Sequence, residues 1–275
     1  MNIPPPLYSK KSLRDWTLRI LQSYSIKPLK KLSQNFIIDP RLVKDILNLT
    51  KDTTKQIIEV GAGIGTITFH LSLYNYVIAI EYDKRLIEVL EDIISSKKDL
   101  IASLDIVNGD FLDTMQLEHF TGTIVSNVPY HIASYVIIKT LQSLAKDVIL
   151  ILQKELALRL IAKPGKKDYG RLTIIVNYIA EPKLLKTYPP SSFYPSPEVY
   201  NALIVLRRKR KWDETANKIE DLTRCLFSEK NKLAIRVIEK CLGKEADRQL
   251  RERLKKKRVR ELELEEILYM VQRYC

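Results

Sequence analysis

The chain has 275 residues, 45% hydrophobic and 29% charged, which suits one large domain, or a large and a small one, around a sizeable core. It holds no apolar run long enough to cross a bilayer, and prolines occupy the N-terminal MNIPPPLYSKKS where a signal peptide would be apolar, so the expectation is a cytoplasmic protein with no membrane partner. The net charge of +13 is uneven: residues 1–34 carry seven Lys/Arg against one acid, 35–206 carry 18 against 19, and 207–275 carry 21 against 13, and a neutral middle between basic flanks points to a polyanion such as RNA.

Residues 12–24 read as a helix and 27–39 as a basic loop. Asp39-Pro40 opens a helix to about 49, with the acid as N-cap and the proline at the first turn. Strands and helices then alternate. Strands are expected at 56–60, 76–80, 105–107, 123–125 and 148–152, with helices at 66–73, 84–94, 132–144 and 154–162. Such alternation implies a parallel sheet covered on both faces. Two further strands, 172–179 and 202–206, have no helix between them and are expected to add antiparallel at one sheet edge. The segment 187–197 (TYPPSSFYPSP) has four prolines and is expected to be a stiff, extended loop. From 214 onward the pattern turns helical, at 214–227, 231–242 and 261–274, and the charged stretch 244–260 between them is open to a helical reading as well. The division expected is a basic N-terminal segment 1–34, a nucleotide-binding domain 35–206 and a basic α-helical domain 207–275.

Cys225, Cys241 and Cys275 are widely spaced, and His70, His119 and His131 are scattered. Neither a metal site nor a disulfide framework is expected from such a pattern.

The chemistry-bearing motifs lie at strand ends. EVGAGIG (59–65) follows an apolar strand and opens a helix, so its glycines allow a tight turn and a close ligand approach. Glu81 ends the next strand, twenty positions after Gly61, where a carboxylate can hold ribose hydroxyls. The glycine spacing is GxGxG rather than the dinucleotide GxGxxG, and Glu59 stands beside it to offset an ammonium group. That favours S-adenosylmethionine, which has no phosphate, over NAD. Asp110, ending the third strand, is either an acceptor for the cofactor's adenine amine or a turn cap. After the fourth strand comes Asn127-Val128-Pro129-Tyr130. The exocyclic amine of adenine is a poor nucleophile, because its lone pair is delocalised into the ring. The Asn127 side-chain oxygen and the Val128 carbonyl can hold its two hydrogens and favour a tetrahedral nitrogen. Tyr130 can stack on the base, so positioning and electrostatics supply most of the rate. Phe193 is a second stacking surface or a core anchor.

With these residues in hand, the chain resembles the ribosomal RNA adenine dimethyltransferases that modify two adjacent adenosines near the 3′ end of small-subunit RNA. The resemblance runs from about residue 29 to 207. It rests on SQNFIID (33–39), EVGAGIG, Glu81, NGDFL (108–112), NVPYHIAS (127–134), LQKELALRL (152–160), DYGRLT (168–173) and FYPSPEVYNALIVL (193–206). It implies a Rossmann-like class I methyltransferase fold, α/β with a mostly parallel seven-stranded sheet, plus a small C-terminal α-helical domain for RNA recognition. It implies that Asn35 and Ile37 touch the cofactor, that Gly61 and Gly63 meet its methionine part, and that Glu81 and Asp110 hold its ribose and adenine. Asn127 and Tyr130 would handle the target adenine, Asn127 also bordering the cofactor, with Phe193 stacking on the base. The implied partner is small-subunit rRNA in an immature subunit, with a role in its assembly, and a monomer is expected. Alternatives are a large-subunit rRNA adenine methyltransferase, or a non-catalytic RNA-binding factor on the same fold. The chain departs from the family's pattern at Ser33, usually Gly, at Val128, usually Leu, at Asn201, often Ser, and through its C-terminal helical region.

Overall fold

The computed structural model describes residues 3–5, 7–51, 56–96, 103–114 and 117–275. Among the described residues the nine strands in chain order are β1 (Phe36–Ile37), β2 (Gln56–Val60), β3 (Tyr76–Glu81), β4 (Leu104–Asn108), β5 (Thr123–Asn127), β6 (Asp147–Gln153), β7 (Ala180–Tyr188), β8 (Phe193–Tyr194) and β9 (Asn201–Arg208). Seven of them form one sheet in the order β4-β3-β2-β5-β6-β9-β7, and β1 pairs with β8 in a separate two-stranded ladder. The run from β4 to β6 is parallel throughout, and β9 joins β6 antiparallel. β2, β5 and β6 are each buried at all but one residue, as strands covered on both faces must be. The chain order reverses beside β2, whose neighbours are β3 and β5. A crevice outside the carboxyl ends of strands at such a reversal is where open α/β sheets bind ligands.

The segment 172–179 is not a strand. It lies in the helix Arg171–Ile179, and the sheet's edge strand is β7, which follows it directly. Seven of the helix's nine residues are buried, so its sequence LTIIVNYI shows no polar face. A short, β-branched apolar run buried all round has no period to separate helix from strand. β7 is AEPKLLKTY, and it tolerates Pro182 because at the sheet's edge a missing N–H need cost no ladder bond.

Two compact units emerge: residues 1–154 with 184–207, and residues 155–183 with 208–275. The second boundary falls beside the expected 206/207 division, but the stretch 155–183 goes with the helical unit rather than with the sheet. The N-terminal segment 1–34 is not a separate piece either. Its helix Lys10–Ser23 buries Leu13, Trp16, Ile20 and Leu21 in the same core cluster as Leu42, Val43 and Ile46. The basic residues lie on the opposite, exposed side of an amphipathic helix, where charge gave no hint of the apolar face.

The helical unit contains Glu214–Leu226, Ala234–Leu242, Arg248–Leu254 and Leu264–Tyr274. A disulfide joins Cys225 to Cys241 across the first two of these helices, with Cα atoms 5.9 Å apart. The sequence reading did not expect it, because sixteen residues of separation become proximity only when the two helices pack side by side. Glu266 is buried in this unit and accepts from Arg253 Nε at 3.2 Å and Lys257 Nζ at 2.8 Å. Among the described residues no helix is long and apolar enough to cross a membrane.

Candidate active site

The glycine loop leaves β2 and turns under the crevice. Gly61, Gly63 and Gly65 all have positive φ, at +76°, +61° and +85°. Gly65 has a second reason to lack a side chain: a Cβ there would come within 2.2 Å of the Phe69 ring. Gly63 places its backbone against Phe36, whose ring would meet a Cβ at 3.4 Å. Gly63 N–H donates to Glu81 Oε2 at 2.8 Å, and Asp83 N–H donates to Glu81 Oε1, also at 2.8 Å. Glu81 is therefore aimed by two backbone donors, while each oxygen keeps a lone pair for a ligand hydroxyl. Burial raises its pKa.

Glu59 is the most unusual group here. It sits on central strand β2 at 1% exposure, and its Oε2 has no hydrogen-bond partner among the described residues. Burial, with Glu81 nearby, pushes its pKa up to about 8 despite an opposing contribution from Thr68. A buried carboxylate left unpaired is costly. A ligand ammonium meeting it in the same cavity would remove that cost.

Glu59, Gly61, Gly63, Glu81, Asp110 and Asn127 line one cavity, together with Asn35, Phe36 and Ile37. The structure thus gathers every cofactor residue expected from sequence. Asp110 Oδ1 accepts from Leu112 N–H at 2.9 Å, the capping bond expected of it, and the residue also borders the cavity. The unpaired Glu59 oxygen, the backbone-aimed Glu81 carboxylate and the glycine cradle fit the ammonium, ribose and methionine chain of S-adenosylmethionine.

The turn after β5 is held by two anchors. Val128 N–H donates to Ile151 O at 3.1 Å, tying the turn to β6. Asn127 Nδ2 donates to Asn35 O at 2.8 Å. A carbonyl can only accept, so this bond decides which end of the amide faces it, and Asn127 Oδ1 is left as an acceptor. Tyr130 does not line the cofactor cavity. It is half-buried, and its hydroxyl meets Asn201 Oδ1 at 3.0 Å. Phe193 is only 2% exposed and belongs to the core cluster. It pairs with Ile37 in the β1–β8 ladder. Stacking needs an open ring face, and Phe193 has none in this structure, so its role here is that of an anchor.

Several positioning residues escaped sequence reading. Gln34 Nε2 donates to Asp83 Oδ2 at 2.8 Å while its Oε1 accepts from Leu29 N–H at 2.8 Å, buckling the 33–39 segment to the end of β3. The Arg85 guanidinium beside Asp83 holds that carboxyl below its usual range. Asp39 is buried, which alone would raise its pKa, but hydrogen bonds from Arg41 and Ser192 hold it down. The Ser192 hydroxyl donates to Asp39 Oδ2 at 2.8 Å, which clamps the same segment to the proline-rich loop. Ser33 has φ +52°, which explains the preference for Gly there, and its Oγ lies 3.2 Å from His131 Nδ1. The visible signal for Ser33, Gln34 and Asp39 was their place within SQNFIID; Asp83, Ser192 and His131, which they meet, are far away in sequence.

Comparison with known proteins agrees with this geometry. Residues 27–275 match the family described as ribosomal RNA adenine dimethylase. The chain belongs to that family. The match includes the helical region, where the short motifs had run out. A probable ribosomal RNA small subunit methyltransferase A from Methanosphaera stadtmanae is 37% identical over 221 residues, 79% of each chain. The ribosomal RNA small subunit methyltransferase A of Clostridioides difficile is 37% identical over 210 residues, 72% of this chain and 71% of that one. Among solved structures, a dimethyladenosine transferase from Plasmodium falciparum superposes with a TM-score of 0.71 at 24% identity, covering 85% of this chain and 94% of that one. The 23S rRNA methyltransferase ErmE superposes at 0.66 with 22% identity, covering 87% of this chain and 99% of that one; these two likenesses show the shared fold. The protein is an S-adenosylmethionine-dependent rRNA adenine dimethyltransferase on a class I methyltransferase fold.

Proposed function

We propose that this enzyme dimethylates N6 of two adjacent adenosines near the 3′ end of small-subunit rRNA, acting in the cytoplasm as a monomer on the immature small subunit and taking part in its assembly. The observation that carries the atom-level reading is Asn127, whose amide nitrogen is committed to Asn35 O so that its oxygen is presented as an acceptor. The small-subunit target is supported by the names of the relatives in Methanosphaera stadtmanae and Clostridioides difficile.

S-adenosylmethionine, when bound, supplies a methyl group on a positively charged sulfur. Glu59 would balance the ammonium of that cofactor, Glu81 its ribose hydroxyls and Asp110 its adenine amine, with Asn35, Ile37, Gly61 and Gly63 shaping the walls. Asn127 Oδ1 and the Val128 carbonyl accept the two hydrogens of the target amine and draw its nitrogen out of conjugation. Pro129, at φ −60° and ψ 127°, fixes the turn that aims the Val128 carbonyl. Tyr130 provides the stacking face. The N6 proton leaves to water, so no general base of shifted pKa is needed; the work is positioning and charge. The basic helical unit 208–275 supplies phosphate contacts to RNA, and a splayed base in a loop is the form of adenine such a site can take.

The test is incubation of the protein with labelled cofactor and either immature small subunits or large-subunit RNA, followed by mass mapping of methylated adenosines. Dimethylated adjacent adenosines in the small-subunit RNA are expected. Label in large-subunit RNA alone would overturn the proposal.

A further inference from the structure

Asn201 is 1% exposed, and its amide touches the Tyr130 hydroxyl at 3.0 Å, while its Nδ2 is buried without a partner among the described residues. The strand register explains the meeting. Asn127 is level with Ile151 on β6, and Asn201, the first residue of β9, is level with Gln153 two positions further along the same strand. β9 runs antiparallel, so its start lies at the carboxyl edge of the sheet, where the catalytic turn leaves β5. A buried asparagine at a strand start with half of its amide unsatisfied is costly to keep. Among the described residues its side-chain hydrogen bond goes to the tyrosine of the turn after β5.

We infer that Asn201 is a positioning residue for the reaction: its amide holds the Tyr130 ring in the orientation from which it stacks on the target adenine. This rests on the reading of Tyr130 as the stacking residue. Tyr130 is half-buried and does not line the cofactor cavity, and its hydroxyl bond to Asn201 is what fixes the far end of its ring. The Asn201 amide is that tie. A serine can also bond a tyrosine hydroxyl but reaches less far. RNA affinity comes mainly from phosphate contacts, so loosening one base-stacking ring acts on turnover more than on apparent RNA affinity.

The experiment compares Tyr130→Phe, Asn201→Ala, their double variant and Asn201→Ser, with kcat and KM for RNA as readouts. Cofactor binding by calorimetry confirms that each variant is folded. Tyr130→Phe removes the same bond from the exposed side with the least disturbance, which covers the case in which Asn201→Ala does not fold. Each single variant is expected to lower kcat by about tenfold, the range of one hydrogen bond, with KM for RNA and cofactor affinity unchanged. The double variant is expected to be no worse than the worse single, and Asn201→Ser to recover part of the loss. A fully active Tyr130→Phe, or losses that multiply in the double variant, would overturn the inference, since packing alone would not depend on the tyrosine hydroxyl. Tyr130→Ala separates the two layers. If it too is fully active, the stacking role fails; if it is inactive while Tyr130→Phe and Asn201→Ala are normal, only the tie fails.

Discussion

The sheet unit and the helical unit use charge in opposite ways. Around the crevice of the sheet unit the decisive charges are buried acids: Asp39 and Glu59 at 1% exposure, Glu81 at 7% and Asp83 at 8%. Each except Glu59 is fixed by named donors, and Glu59 waits for one. In the helical unit one acid, Glu266, is buried and satisfied by two bases, while Lys255, Lys256 and Arg258 stand exposed. Fixed charges in a dry cavity recognise one small ligand by geometry. Exposed bases on long side chains recognise a phosphate backbone by number and sign. Substitutions should therefore act steeply and specifically in the first unit, gradually and with salt dependence in the second.

Asn127→Ala is the strongest test of that contrast. Methyl transfer should fall by roughly a thousandfold or more, about 4 kcal/mol of transition-state stabilisation. Cofactor affinity measured by calorimetry should stay within about tenfold; loss of cofactor binding would mean that Asn127 serves the wrong ligand in this scheme.

Glu59→Gln comes next, with an expected loss of about a hundredfold in cofactor affinity. Its folded pKa of about 8 lies above the ordinary 4.5. The unliganded fold therefore binds the extra proton, and stability falls as pH rises from 4.5 through 8. Removing the carboxylate should raise the Tm of the unliganded protein at pH 8, by about 5 °C. In the parent protein the ammonium of the cofactor selects ionised Glu59, so affinity should drop by about tenfold per unit as pH is lowered below 8 toward 6. A flat affinity profile in titrations across that range would contradict the ammonium assignment.

Cys225→Ser should destabilise the helical unit by about 3 kcal/mol, from the freedom returned to the unfolded loop. Thermal melts with and without reductant would show it, and cofactor affinity should not change. A matching loss of cofactor binding would erase the distinction between the units. The smallest effect is expected from Lys255→Ala with Lys256→Ala. RNA affinity should weaken evenly across sequences, and the slope of log affinity against log salt should shrink by about 2. An unchanged slope would place the RNA backbone elsewhere.

The strand–helix alternation, the glycine loop and the three other strand-end motifs were legible from sequence, because each is a local pattern. An apolar run bounded by glycine has few other meanings, and β2 matches the expected 56–60 residue for residue. The cavity residues Glu59, Glu81 and Asp110 were legible for the same reason: parallel strands deliver their carboxyl ends to one edge whatever lies between them. What depended on tertiary structure was every relation between distant segments. The helix Arg171–Ile179 was hidden because burial on all sides erases periodicity. The Cys225–Cys241 bond, the Gln34–Asp83 and Ser192–Asp39 clamps and the Tyr130–Asn201 contact join residues with no local code to link them. Phe193 shows the same limit from the other side, since its motif named a stacking ring and its packing made it a core residue. Local sequence determined which groups the chain presents; only the packing of β1 on β8 and β9 on β6 decided which way those groups face.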